Sequence, residues 1–544
     1  MLVCLSPAVA LAQATRVGFL TQPSTSTAGV SISPAVRVAI QDPVGTTVTT
    51  STAPVTLAIS TNPGGGTLSG TLTVNAVAGI ATFSNLSIDK VGTGYRLQAT
   101  SPGLSSATSI TFNINAAAAN KLAFTTPTRS FTAGQCAGAA SVITVQLQDA
   151  FGNAVAAGAG GLAITASSTS TGTVNWYTDA TCTTSAGAGA FTIAAGTNTR
   201  DIYYTDTKAG TPSISLTNGS GLTNPAPQAQ TVTAFTANRV SFIVQPASTT
   251  AGSPINPAVQ VAVQDQYNNT VTSSTASITV AIGTNPGGGT LSGTTTVAAV
   301  AGVASFSDLS IDKAGTGYTL TGASAGLTGA TSTAFNINPG AASRLAFTTQ
   351  PTSATAGVSL SPAVHVTVQD AFGNTVTSST ASITVAIGTN PGGGALSGTT
   401  TVAAVAGVAT FSNLSVDKAG TGYTLTAASS PLTGATSSTF NITAAAAAKV
   451  AFTVQPTNAT AGVSISPAVQ VAVQDAFGNT VTGSTASITV AIGSNPGGGT
   501  LSGTTTASAS GGVATFSNLS IDKAGTGYTL SATSSGLTGG TSAG

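Results

Sequence analysis

Along most of this chain, apolar residues occupy every second position of short runs. Val364, Val366 and Val368 alternate with His365, Thr367 and Gln369. Ile383, Val385 and Ile387 alternate with Thr384 and Ala386, and Tyr423, Leu425 and Ala427 with Thr424 and Thr426. Phe440 and Ile442 flank Asn441, and Leu345 and Phe347 flank Ala346. A period of two sets one face of a strand against a core and leaves the other in water. Between Phe411 and Leu414 the phase slips, which predicts a bulge. With a further strand near 396–402, the count is about seven. Turn clusters such as Phe372-Gly373-Asn374 and Asn390-Pro391-Gly392-Gly393-Gly394 separate the runs. The pattern predicts an antiparallel β-sandwich.

This pattern recurs. A basic residue, two small or apolar residues and Phe open each copy, at Arg16, Lys121, Arg239, Arg344 and Lys449. The spacing is 105 residues, except for 118 between Lys121 and Arg239. A unit of this length suits one small sandwich and is too long for a solenoid turn. The fold class is therefore all-β, a tandem array of five immunoglobulin-like antiparallel sandwiches. Repeat 1 covers 15–119, repeat 2 covers 120–237, repeat 3 covers 238–342, repeat 4 covers 343–447 and repeat 5 covers 448–544. The alanine-rich linkers are too short to hold a helix in water, so the units follow one another as beads on a string. Repeat 5 stops at Gly544, before any counterpart of Phe335-Asn336-Ile337. It is expected to lack its final strand and to be the weakest unit, in a chain that is part of a longer one.

One segment stands out because charged residues are only 5% of the chain. Ser310-Ile311-Asp312-Lys313-Ala314-Gly315-Thr316-Gly317-Tyr318 has close copies starting at Ser87, Ser415 and Ser520. It falls between two strands. Asp312 can accept backbone N–H bonds, Gly315 and Gly317 permit positive φ, and Tyr318 starts the next strand pointing inward. The layout is similar to the tyrosine corner of immunoglobulin folds and reads as a structural turn. Repeat 2 keeps Asp206, Lys208 and Gly210 but has Pro212 in a glycine position and no following Tyr. That repeat also holds Cys136 and Cys182, read as a disulfide that compensates for the lost corner.

Composition narrows the chemistry. The chain has one His and no Glu, and its net charge is +1. No basic patch for nucleic acid is visible, and no apolar run reaches the roughly 18 residues of a membrane span. Residues 1–14 resemble the end of an export signal, with Ala-x-Ala options ending at Ala10, Ala12 or Ala14. Catalytic residues, cofactor and metal site are expected to be absent, since neither a Ser-His-Asp set nor a zinc site can be assembled. Calcium is the best chemical alternative, with Asp370 and Asp417 as weak candidates, although two separated carboxylates per unit fall short of an ordinary site.

The segments Val368-Gln369-Asp370-Ala371-Phe372-Gly373-Asn374, Gly498-Gly499-Thr500-Leu501-Ser502-Gly503 and Gly407-Val408-Ala409-Thr410-Phe411 resemble bacterial immunoglobulin-like repeats of invasin- and intimin-type surface proteins. The resemblance implies display outside the cell, a stalk or multivalent adhesion role, and an extracellular protein or glycan ligand. Two other readings stand beside it. Carbohydrate- or matrix-binding modules would need exposed aromatics, with Trp176 the first candidate. The chain could instead serve as the non-catalytic arm of a secreted hydrolase.

Overall fold

The computed structural model describes residues 13–136 and 138–544, so Cys4 and nearly all of the signal-like segment lie outside the described residues. The described residues are strands and turns, with a single 3-10 turn at Ala139–Ser141. Buried apolar side chains gather into five separate clusters, spanning 17–114, 122–216, 240–337, 345–442 and 450–532. Each cluster stays within one sequence repeat, as expected where alternating residues close separate cores.

Repeat 3 shows the plan. Arg239–Val244, Val259–Gln264 and Val303–Phe306 form one antiparallel sheet. Thr296–Ala298, Ser277–Ile282, Leu320–Ala323 and Ala330–Thr331 form the other. Val259 opposite Phe306 and Val261 opposite Ala304 turn inward from the first sheet, while Ile278, Val280 and Leu320 meet them from the second. A third, smaller sheet closes one end. In it the last strand, Phe335–Asn338, lies parallel to Thr249–Thr250 and antiparallel to Gly315–Tyr318. Phe335 and Ile337 point into the core with Asn336 between them.

The phase slip after Phe411 is not a bulge. Val408–Phe411 pairs with Val364–Gln369, whereas Ser415–Val416 pairs with Leu396–Ser397. The chain crosses between sheets there, and Phe411 and Leu414 can both face the core because they belong to different layers. The single strand expected near 396–402 is likewise two, Leu396–Ser397 and Thr401–Ala403, in different sheets.

Repeat 5 has its two main sheets but not the third. Nothing in it corresponds to Phe335–Asn338, and the counterparts of Thr249–Thr250 and Gly315–Tyr318 belong to no strand. Ile521 and Tyr528 are absent from its core cluster, although Ile311 and Tyr318 are fully buried in repeat 3.

Candidate functional site

The repeated Asp-Lys-Gly-Tyr segment is built as a corner. The Tyr318 hydroxyl donates to the Lys313 carbonyl at 2.8 Å, and its ring is fully buried beside Phe335. Asp312 accepts the Thr290 N–H at 2.6 Å, which ties the turn to the glycine-rich loop. Gly317 takes φ +88° and donates its N–H to Asn336. Burial pushes the Tyr318 phenol above its usual pKa, against backbone groups at Gly289 and Gly287 that pull it down. Tyr95 and Tyr423 repeat the bond to Lys90 and Lys418. Tyr318→Phe should remove one neutral hydrogen bond and lower local stability by about 1 kcal/mol. Faster amide exchange at Gly315–Tyr318, with the other repeats unchanged, is the expected signature.

The same corner is one half of a joint. The other half is the Asp-x-Phe-Gly-Asn turn of the next repeat. Asn374, in repeat 4, reaches back to repeat 3: its amide nitrogen donates to the Asp312 carbonyl at 2.9 Å, and its amide oxygen accepts the Ala314 N–H at 2.9 Å. The Lys313 ammonium donates to the Phe372 carbonyl at 2.7 Å. Phe372 covers Gly252 of repeat 3. Gly252 has φ +74°, and a Cβ there would stand 2.1 Å from the Phe372 ring, so only glycine leaves room.

Asp370 anchors this turn. One carboxylate oxygen accepts the N–H groups of Phe372 and Asn374, and the other accepts the Asn374 side chain and the N–H of Gly340 in the linker. The residue is almost completely buried. Burial alone would raise its pKa, but the hydrogen bonds from Asn374, Gly340 and Phe372 outweigh it and hold the carboxyl below the usual range. Turn, linker and preceding repeat thus meet on one Asp–Asn pair.

Every junction repeats this clasp. Asn153 binds the Asp89 carbonyl and the Val91 N–H. Asn269 binds those of Thr207 and Ala209, and Asn479 those of Asp417 and Ala419. Asp149, Asp265 and Asp475 take linker N–H groups from Ala117, Phe235 and Ala445. Phe151 and Phe477 cover Gly29 and Gly357, and Tyr267 covers Gly134. Repeat 1 separates the two roles. Its Asp42 still accepts the N–H groups of Val44 and Thr46, so the turn is kept. Val44 and Thr46 stand where the later repeats have an aromatic residue and Asn, and Val44 is 84% exposed.

The remaining candidates fall as follows. Both Asp370 oxygens are taken by nitrogen donors, which leaves no lone-pair face turned to a cation. Asp417 accepts the Ala395 N–H, as Asp312 does that of Thr290. Among the described residues no three His, Cys, Asp or Glu side chains gather as a metal site. Gly315 pairs with Ile337 across the closing sheet. Cys136 and Cys182 are joined, with Cα atoms 6.0 Å apart.

Repeat 2 departs from the expected register. Asp206 does not occupy the corner position: Thr207 does, since its carbonyl is the one Asn269 binds. The Asp206 side chain turns inward, where the other repeats place Ile88, Ile311 or Val416, and it accepts bonds from Ser170 and the Lys208 N–H. The core of this repeat carries an aromatic cluster. Tyr204 lies 4.7 Å from Phe131 and 5.4 Å from Trp176, centroid to centroid. Trp176 is only 5% exposed, so it is a core residue and not a sugar platform.

Fold and joints define a tandem array of immunoglobulin-like sandwiches. No protein-family model and no curated protein matches the chain. Among solved structures it is similar to FdeC, an Escherichia coli adhesin, at 17% identity over 60% of this chain and 97% of that one, with TM-score 0.25. Invasin, a bacterial integrin-binding protein, matches at 13% identity over 95% of this chain and 99% of that one, with TM-score 0.27. The D0-D1 region of intimin matches at 15% identity over 40% and 98%, with TM-score 0.15. Likenesses this weak add no role; the fold rests on the chain's own sheets and cores. No helix of the described residues is long and apolar enough to cross a membrane.

Proposed function

We propose that the chain is a non-catalytic extracellular spacer, an adhesin stalk whose joints are clasped so that successive units keep one orientation. The observation that carries this reading is the Asp–Asn clasp present at all four junctions. A linker that only tethered its neighbours would not spend a buried carboxylate and a side-chain amide on each joint. Held open in line, five sandwiches would span on the order of 150–200 Å at about 3.3 Å per strand residue.

Small-angle scattering tests the proposal. The full chain is expected to give one narrow distribution of lengths, and Asn374→Ala to give a shorter mean and a broader spread while all five cores stay folded. A wild-type distribution already as broad as that of the variant would remove the spacer reading.

A second reading has its own observation. Val77, Val300 and Val405 are 77–79% exposed at the tips of equivalent hairpins, each followed by an alanine at positive φ. Apolar tips shared by repeats 1, 3 and 4, with Ser510 in their place in repeat 5, suit several weak contacts, which multiply through avidity.

A further inference from the structure

Repeat 2 keeps as one sheet what the other repeats split. Lys121–Phe124, Ile143–Gln148, Thr199–Asp206 and Val174–Tyr177 lie side by side in it. In repeat 3 the corresponding chain breaks after Val303–Phe306, and Ser310–Ile311 pairs separately with Leu291–Ser292. Because Thr199–Asp206 runs unbroken, Tyr177 stands directly opposite Tyr203. Their neighbours Trp176, Ile202 and Tyr204 are buried, so strand alternation turns both tyrosines to the outer face, where they are half-buried. The chain has eight tyrosines. Tyr95, Tyr204, Tyr318 and Tyr423 are core residues, Tyr267 belongs to a joint, and Tyr528 bonds the Lys523 carbonyl. The remaining two form this outward pair.

Polar groups of the same face border the rings. Asn175 opposes Thr205 on one side. On the other, Asp201 opposes Thr144 and accepts its hydroxyl at 2.7 Å. Burial, and then the Asp201 carboxylate, push the Tyr203 phenol above its usual pKa; Arg200 pulls it down and Asp179 adds a smaller push. The Arg200 guanidinium belongs to the core side, 5.7 Å from the centre of the buried Phe191 ring. The charge turned outward beside the rings is therefore acidic. The hairpin after Tyr177 is held rigid next to them. Tyr177 pairs with Ser185 across it, Asp179 takes the N–H groups of Thr181, Thr183 and Thr184, and the bridge to Cys136 fixes Cys182. A rim ordered in advance loses little freedom on binding.

We propose that the Tyr177–Tyr203 face is a glycan-binding platform for neutral oligosaccharides, with the two rings under the apolar faces of the sugars and Asn175, Asp201 and Thr205 bonding their hydroxyls. The chemistry of the face selects this class. Directly opposite side chains stand about 5 Å apart, so the two rings act as one apolar surface. Tyrosine presents such a surface with a polar tip and few rotatable bonds to fix. The carboxylates accept sugar hydroxyls and repel phosphate, sulfate and uronate groups. The backbone between the rings is already paired within the sheet, so an extended peptide finds no ladder there. A spacer needs no such face, and the site is additional to the clasped joints.

The test uses the full chain, with cellohexaose, mannohexaose and chitohexaose as neutral probes and hexagalacturonate as the acidic one, followed by calorimetry. At least one neutral hexamer should bind saturably at one site per chain, with a dissociation constant below about 1 mM. Tyr177→Thr and Tyr203→Thr should each weaken that binding at least about tenfold. Threonine suits the outer face of a strand, and an unchanged near-ultraviolet signal from the Trp176 cluster shows that repeat 2 stays folded. A second measurement needs no variant: bound sugar should slow nitration of Tyr177 and Tyr203 in the wild-type chain and leave that of Tyr528 unchanged. Failure of all three neutral probes to saturate, wild-type affinity in both threonine variants, or unaltered nitration of the pair would overturn the proposal. So would tighter binding of hexagalacturonate than of any neutral probe.

Discussion

Asp370→Ala is expected to open repeat 4 at its first turn and release it from repeat 3, at a cost of about 3–5 kcal/mol. The reason is the number of groups that depend on one carboxylate. Four N–H donors converge on it, from Phe372, Asn374, the Asn374 side chain and Gly340. Removing it leaves them in a site with almost no solvent access, and each unsatisfied donor costs about 1–3 kcal/mol before water enters. Asn374 then loses the partner that orients its amide toward Asp312 and Ala314, so the joint fails together with the turn. Five cores do not unfold as one transition, so hydrogen exchange resolved by repeat is the suitable measurement. Protection should fall in Val364–Gln369 and in the linker around Gly340, and remain in repeats 1 and 2. Asp370→Asn keeps the volume and one acceptor, and should cost less. Wild-type protection in Asp370→Ala would show that the carboxylate does not carry the joint.

The same geometry sets a pH dependence. Asp149, Asp265, Asp370 and Asp475 all have their pKa lowered in the folded chain, because hydrogen bonds outweigh burial. A carboxyl whose folded pKa lies below its unfolded value, about 3.9, contributes stability that is complete above that value. The contribution is lost as pH falls through the lowered folded value. Acidification from pH 4 downward should therefore loosen all four junctions together, and Asp370→Asn should flatten the response at its own joint.

The strand alternation, the five cores and the corner tyrosines were legible because each is a short-range pattern within one unit. Val364, Val366 and Val368 mark a face whatever surrounds them. The joint was not read, because its two halves lie about 60 residues apart in different repeats: Asn374 is 62 residues from Asp312. Each half had a sufficient local reading, Asp312 as a corner and Asp370 as a turn. One signal was present. Repeat 1 keeps Asp42 but has Val44 and Thr46 where the others have an aromatic residue and Asn, so those positions vary separately from the turn itself. The register error at Asp206 has a related cause. An Asp two residues before a Lys matched the corner by type, and only the inward direction of the strand shows that it replaces an isoleucine. The burial of Trp176, the first candidate for an exposed aromatic, is not legible locally, since the ring it packs on, Tyr204, comes from a neighbouring strand.

Removing the Cys136–Cys182 bridge is expected to destabilise repeat 2, by roughly 3–4 kcal/mol on the chain-entropy model for a closed loop of this length. The bridge spans 46 residues. Its effect should lie in the unfolded chain, because the native structure around both cysteines has other supports. Asp179 holds the hairpin beside Cys182 through the N–H groups of Thr181, Thr183 and Thr184, and the Thr181 hydroxyl, with the Thr183 and Thr184 N–H groups, lowers its pKa. On the other side, the Gly134 N–H, two residues before Cys136, donates to the Asp206 carbonyl. Cys136→Ser with Cys182→Ser should therefore keep the Phe131, Trp176 and Tyr204 cluster, and with it the near-ultraviolet signal, while its melting shifts downward. Gly134 lies under Tyr267 of repeat 3, so the variant should also increase exchange at the junction of repeats 2 and 3 before the core of repeat 2 opens. Thiol titration of the unreduced, unfolded chain should find neither cysteine reactive. Two reactive thiols there, or an unchanged melting profile after substitution, would remove the bridge from the account of how repeat 2 holds together without its corner.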